Sequence, residues 1–104
     1  MPLFTDLPVK EIAPGLNGYY AHGVSSTLGF VDIKAGCRLN QHQHIHEQIT
    51  FIVEGQLDMI IGGVPCSLTK GMFYVIPSNT PHSAFAVTDC KVIDAFSPVR
   101  EDYK

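Results

Sequence analysis

Residues 40 to 56, NQHQHIHEQITFIVEGQ, hold His42, His44 and His46, three of the chain's five histidines, and pass through Gln48 into a run of β-branched residues. Neutral imidazoles bind zinc, nickel, copper, iron or manganese, and spacing alone does not choose among them. In an extended chain, side chains at i and i+2 share a face, so His42, His44 and Gln48 can converge, with His46 formally in the same row. At about 3.3 Å per residue, His42 to His46 spans about 13 Å, whereas metal-bound imidazole nitrogens lie about 2 Å from one point. A further ligand has to come from another strand. The candidate is His82, which ends GMFYVIPSNTPH: a β-run stops at Pro77, a polar turn reverses the chain, and a histidine heads the next strand. His42 and His44 have no packing reason to stand at i and i+2 before a buried strand, and metal ligation supplies one. His46 and His22 read more simply as solvated or hydrogen-bonded histidines.

The elements that must carry these groups are short. Apolar runs rich in Val, Ile, Phe and Tyr are cut every eight to twelve residues by turn signals, and no stretch keeps a helical period. The pattern predicts an all-β chain with strands over 9–12, 19–24, 27–33, 48–53, 56–61, 64–68, 72–76, 82–86 and 91–96. Gly62-Gly63 between two β-runs predicts a tight hairpin of the primed-turn kind. So many short strands in 104 residues require a closed or two-sheet arrangement, because an open flat sheet would leave an edge and a face uncovered. A single domain over residues 1–104 is expected, without repeat or linker. ITFIV, residues 49 to 53, is apolar on both faces, so a barrel interior covers one side and a second subunit or a folded-over terminus covers the other. With a small core, this predicts a homodimer.

Composition narrows the function classes. Apolar residues make up 45% and charged residues 16%, and the net charge is -3. There is no Lys/Arg run and no aromatic-basic interleaving, which argues against nucleic acid as a partner. The first fifteen residues, MPLFTDLPVKEIAPG, lack a basic segment followed by an apolar one, and no apolar run approaches spanning length, so no membrane association and a cytoplasmic location are expected. Cys37, Cys66 and Cys90 are odd in number and widely spaced, as buried reduced thiols would be.

Two spaced motifs resemble those of the cupin family. Gly36, five residues, His42-Gln43-His44, three residues, Gln48, six residues, Gly55 is similar to the first cupin motif; Gly71, five residues, Pro77-Ser78-Asn79-Thr80-Pro81-His82 is similar to the second. The resemblance implies a cupin-type jelly-roll β-barrel, a double-stranded β-helix, with one divalent metal per chain held by His42, His44, His82 and Gln48. Two positions depart from the usual pattern. Asn79 stands where glycine is common, a mild change because asparagine tolerates the left-handed backbone. Gln48 stands where glutamate is commoner. Three imidazoles and an amide leave a divalent charge uncompensated, so such a site favours an anionic ligand and makes a weaker case for oxygen-activating iron.

The tail, VIDAFSPVREDYK, puts Asp94 and Phe96 on one face of a strand, then breaks at Ser-Pro before Arg100. One assignment is an edge carboxylate, a core phenylalanine and a surface arginine. The other has Asp94 exchanging protons at the barrel mouth, Phe96 walling a ligand and Arg100 clamping a carboxylate. HIHEQITFIVEGQ together with DAFSPVRED resembles the KdgF-like pectin-degradation cupins. That resemblance implies conversion of 4,5-unsaturated uronates, small anionic sugars released from pectin or alginate, to linear ketonised forms, with Asp94, Phe96 and Arg100 as functional residues. A sugar-acid-binding cupin without catalysis and a metal-dependent dioxygenase are the alternatives. A regulatory cupin would need a fused DNA-binding domain, for which 104 residues leave no room.

Overall fold

A computed structural model describes residues 1–104. Ten strands follow in order: β1 (Val9–Ala13), β2 (Leu16–His22), β3 (Thr27–Ile33), β4 (Arg38–His42), β5 (Glu47–Glu54), β6 (Gln56–Ile61), β7 (Val64–Thr69), β8 (Phe73–Ile76), β9 (His82–Ala86) and β10 (Cys90–Ser97). Single 3-10 turns lie at Phe4–Asp6 and Glu101–Tyr103. The strands form a six-stranded sheet, β1-β2-β3-β10-β5-β8, and a four-stranded sheet, β4-β9-β6-β7. Every pairing is antiparallel. From β3 onward the chain crosses repeatedly between the sheets, which closes them into a jelly-roll barrel.

Alternation sets the inside. In β5, Gln48, Thr50 and Ile52 are buried while Ile49 and Phe51 face out. Ile52 and Ile76 are fully buried at the centre of a core that includes Leu57, Val92 and Phe96. The β6–β7 hairpin turns on Gly62 and Gly63, both with positive φ, as a primed turn requires, and Asn79 also adopts the left-handed backbone, with φ 58°.

One strand lies outside the sequence pattern. β4 carries a single apolar residue, Leu39, second in the strand, and is otherwise exposed or half-buried at a sheet edge, so nothing in its composition alternates. Its presence corrects the expectation of a single histidine row: His42 ends β4 in the four-stranded sheet, His44 lies in the crossover, and Gln48 sits on β5 in the other sheet. Convergence comes from the crossing of the chain, not from period two on one strand.

The outer face of the six-stranded sheet is apolar. Register places Tyr19, Phe30, Ile93, Phe51 and Phe73 in one cross-strand row, and Ala21, Leu28, Ala95, Ile49 and Val75 in the next. Phe4 folds back onto the β2–β3 end, 4.8 Å from the Phe30 ring and 5.5 Å from Tyr19. At the β5–β8 end, Phe73 stays 65% exposed, and Phe51 and Ile49 39% each.

Candidate metal centre

His42 and His82 are cross-strand partners of β4 and β9, with ring centroids 4.2 Å apart. The His44 ring is 5.6 Å from His42 and 5.0 Å from His82. One ring nitrogen from each of the three lies within 4.8 Å of the others. The other nitrogen is fixed by main chain: Nδ1 of His42 meets Asn40 O at 3.0 Å, Nδ1 of His44 meets His46 O at 3.0 Å, and Nδ1 of His82 meets Thr80 O at 2.8 Å. A carbonyl accepts only, so each Nδ1 carries the proton and each Nε2 a free lone pair, the tautomer a metal requires.

Two observations test the fit of an ion. His82 Nε2 is buried without a hydrogen-bond partner. His44 Nε2 lies 3.1 Å from Gln48 Oε1, and the Gln48 amide is oriented by its nitrogen, which donates to Thr50 Oγ1 at 2.9 Å and Asp94 Oδ1 at 3.3 Å. Two acceptors therefore face each other across the His44–Gln48 gap, an arrangement that a cation between them relieves. The donor set of three imidazole nitrogens and one amide oxygen fits a divalent ion. Burial, and after it the positive Arg100, pushes the His44 pKa down to about 4, and burial also lowers that of His82, so both rings are held neutral.

Behind Gln48 lies the carboxylate. Thr50 Oγ1 accepts from Gln48 and donates to Asp94 Oδ1 at 2.8 Å, giving a chain Gln48–Thr50–Asp94 between β5 and β10. Asp94 Oδ2 receives no hydrogen bond from the protein. Burial raises the Asp94 pKa to about 6, against the lowering effect of the Thr50 and Gln48 hydrogen bonds and of Arg100. Phe96 projects from the same face of β10, 4% exposed, with its ring 5.9 Å from His44. Arg100 is 5% exposed and not at the surface; its Nε and Nη2 donate to Asp102 at 3.0 and 2.9 Å. His42, Gln48, His82, Asp94, Phe96 and Arg100 line one cavity in the barrel. His46 lies outside the ligand group, but its ring packs edge-on against His44 at 5.3 Å and lies 6.4 Å from Phe96; its carbonyl meets His44 Nδ1, and its own Nδ1 is buried without a hydrogen-bond partner, which corrects the expectation of a solvated or hydrogen-bonded side chain.

The sequence pattern of the Cupin domain family matches residues 29–96. The chain belongs to the cupin family. This cupin is 34% identical over 64 residues to a pectin degradation protein KdgF of Dickeya dadantii, covering 60% of this chain and 58% of that one. It is 42% identical over 53 residues to an H2HPP isomerase of Bacillus subtilis, covering 50% of this chain and 22% of the relative. Its alignment thus spans less than two thirds of either curated relative. Among solved structures, KdgF from a Halomonas species superposes with a TM-score of 0.88 at 31% identity, over 96% of this cupin and 94% of that chain. No helix of this cupin is long and apolar enough to cross a membrane.

Several residues around the site lie outside the motifs. Tyr20 and Tyr103 line the cavity, ring centroids 4.6 Å apart. The Tyr20 ring lies over Gly18 and Gly29, where an added Cβ would come within 2.4 and 2.7 Å of ring or hydroxyl atoms. Two glycines inside strands were the available sequence signal for that close approach. His22 has a role outside the metal cluster: its Nδ1 meets Thr27 Oγ1 at 2.9 Å, and that oxygen accepts from the Arg100 backbone N–H at 2.9 Å.

Proposed function

We propose that this cupin is a metal-dependent isomerase of a small sugar acid, opening and ketonising 4,5-unsaturated uronates. The observation that carries this is the placement of one carboxylate and one guanidinium, Asp94 and Arg100, in the cavity that the histidine cluster borders. The likeness to KdgF proteins supports the substrate class, and the likeness to a relative named as an isomerase supports the reaction type.

The reaction is a redistribution of protons. The anomeric hydroxyl loses its proton, the bond from C1 to the ring oxygen breaks, a carbonyl forms at C1, and the enolate left across C4 and C5 is protonated at C4 to give the ketone. Nothing is oxidised or reduced. A divalent ion on His42, His44, His82 and Gln48 would supply Lewis acidity to a sugar oxygen. Asp94, with Oδ1 held by Thr50 and Gln48 and Oδ2 free, exchanges the proton. Its raised pKa leaves both protonation states accessible near neutrality. Phe96 walls the ligand, and Arg100 balances its carboxylate. The test is the ultraviolet absorbance of the unsaturated uronate, followed with metal-loaded and metal-free protein. Loss of the chromophore faster than in buffer supports the isomerase; binding without turnover leaves a sugar-acid-binding protein instead.

The working unit is proposed to be a homodimer built on the outer face of the six-stranded sheet. Phe4 covers only the β2–β3 end of that face, and Phe51, Phe73, Ile49 and Val75 remain open at the other. Pairing two such faces would take this remaining apolar surface out of water, with the same patch on both subunits as a two-fold dimer requires.

A further inference from the structure

The Arg100 guanidinium is confined on three sides. In a 3-10 turn, side chains at i and i+3 eclipse, and Tyr103 follows Arg100 by three residues; its ring centroid lies 3.8 Å from Cζ. Phe96 lies 4.7 Å from the same carbon, and the two rings stand at 87° to each other, so the guanidinium occupies the corner between them. Asp102 takes the Nε/Nη2 edge with two hydrogen bonds. The backbone is anchored as well, through the Arg100 N–H bond to the buried Thr27 hydroxyl. Tyr103 in turn rests on Tyr20, which lies across Gly18 and Gly29. What stays without a carboxylate partner is the Nη1/Nη2 edge, two parallel N–H groups on a cavity-lining residue. That edge matches a planar carboxylate bidentately. Asp102 is 58% exposed against 6% for the Arg100 side chain, so its charge is screened by solvent and leaves Arg100 attractive to an anion inside.

Resting on the uronate function above, we propose that Tyr103 and Asp102 are positioning residues that hold the Arg100 guanidinium with one edge toward the cavity, and that this makes the site select sugars bearing a carboxylate over neutral sugars. Asp102 is outside the cavity lining and Tyr103 borders it, and the role assigned to both is exerted through Arg100. Preorganisation is the physical gain. A free arginine side chain must lose much of its rotamer freedom on binding, and here the fold has already restricted it.

The experiment measures calorimetric binding of galacturonate, which has no double bond to ketonise, and of galactose, together with turnover of unsaturated uronate, on metal-loaded wild type, Tyr103→Leu, Tyr103→Phe and Asp102→Ala. Metal content and melting temperature accompany each variant. Wild type should prefer galacturonate to galactose. Tyr103→Leu should raise KM and the galacturonate Kd by on the order of 5- to 30-fold with kcat within about twofold, and Tyr103→Phe, which keeps the ring, should restore binding. Asp102→Ala, at an exposed position that does not threaten folding, should shift Kd in the same direction even where Tyr103→Leu proves unstable. Unchanged Kd in both variants beside normal wild-type turnover overturns the positioning role and leaves the isomerase standing. Galacturonate binding that the variants weaken, without turnover by wild type, removes the isomerase and keeps the positioning role. Wild type that neither binds galacturonate nor turns over the uronate removes both.

Discussion

Gln48 donates a hydrogen bond to Asp94, Nε2 to Oδ1 at 3.3 Å, while its Oε1 faces His44 Nε2 at 3.1 Å, so one amide serves a metal ligand set with its oxygen and a carboxylate with its nitrogen. A carboxylate at position 48 could accept in both directions but donate in neither. Gln48→Glu should therefore retain or tighten metal, whose charge it compensates, while setting two acidic groups against each other and disrupting Asp94. The expected outcome is full metal content with kcat lowered by about 10- to 100-fold, read by elemental analysis and the uronate absorbance assay. Unchanged turnover would remove Gln48 from any link to Asp94.

Asp94→Asn keeps the shape and an acceptor for Thr50 but loses the exchangeable proton. Turnover should fall by about 10²- to 10⁴-fold with KM nearly constant, because the proposed function assigns proton transfer and carboxylate binding to different residues. A variant that changes KM alone would place Asp94 among binding groups.

Metal content separates the histidines. About one divalent ion per chain is expected, since three Nε2 lone pairs already converge. His44→Ala and His82→Ala should lose it, and His46→Ala should largely keep it, because His46 is outside the ligand group and alanine preserves the carbonyl that holds His44 Nδ1 although the ring contact goes. Chelation should also lower the melting temperature, as a ligand at about 100 times its Kd stabilises by about 2.7 kcal/mol. Equal metal loss from His46→Ala would show the ligand set to be wrong.

On the outer sheet face, Phe51 and Phe73 are directly opposite on β5 and β8. Phe51→Lys or Phe73→Glu places a charge at the middle of the proposed interface, twice per dimer by symmetry. Light scattering should give a dimer for wild type at micromolar concentration and a monomer for either variant. A monomeric wild type would end the proposal.

Gly29→Ala sets a Cβ at 2.7 Å from the Tyr20 ring, which is packed against Tyr103 and has little room to yield. Overpacking of this kind costs about 1–3 kcal/mol, so chemical denaturation should show a lower midpoint at unchanged slope. An unaltered midpoint would mean that the ring shifts freely.

The ligand types and most strands were legible in the sequence for a local reason: inward and outward positions alternate wherever one face of a strand is buried, and a cluster of histidines has no packing purpose. Gln48, Thr50 and Ile52 point in because of their period, and Gly62-Gly63 turns because glycine admits positive φ. β4 was illegible since an exposed edge strand with one apolar residue leaves no period to read. With it went the crossing that brings His42 from one sheet to His44 and Gln48 beside the other. Tertiary structure alone decided the rest: the bond between Gln48 and Asp94, 46 positions apart, the corner of Phe96 and Tyr103 around Arg100, and the seat of Tyr20 on Gly18 and Gly29. Each is a contact between residues whose local sequence is satisfied by many other arrangements, and it is the packing of two sheets around one small core that selects among them.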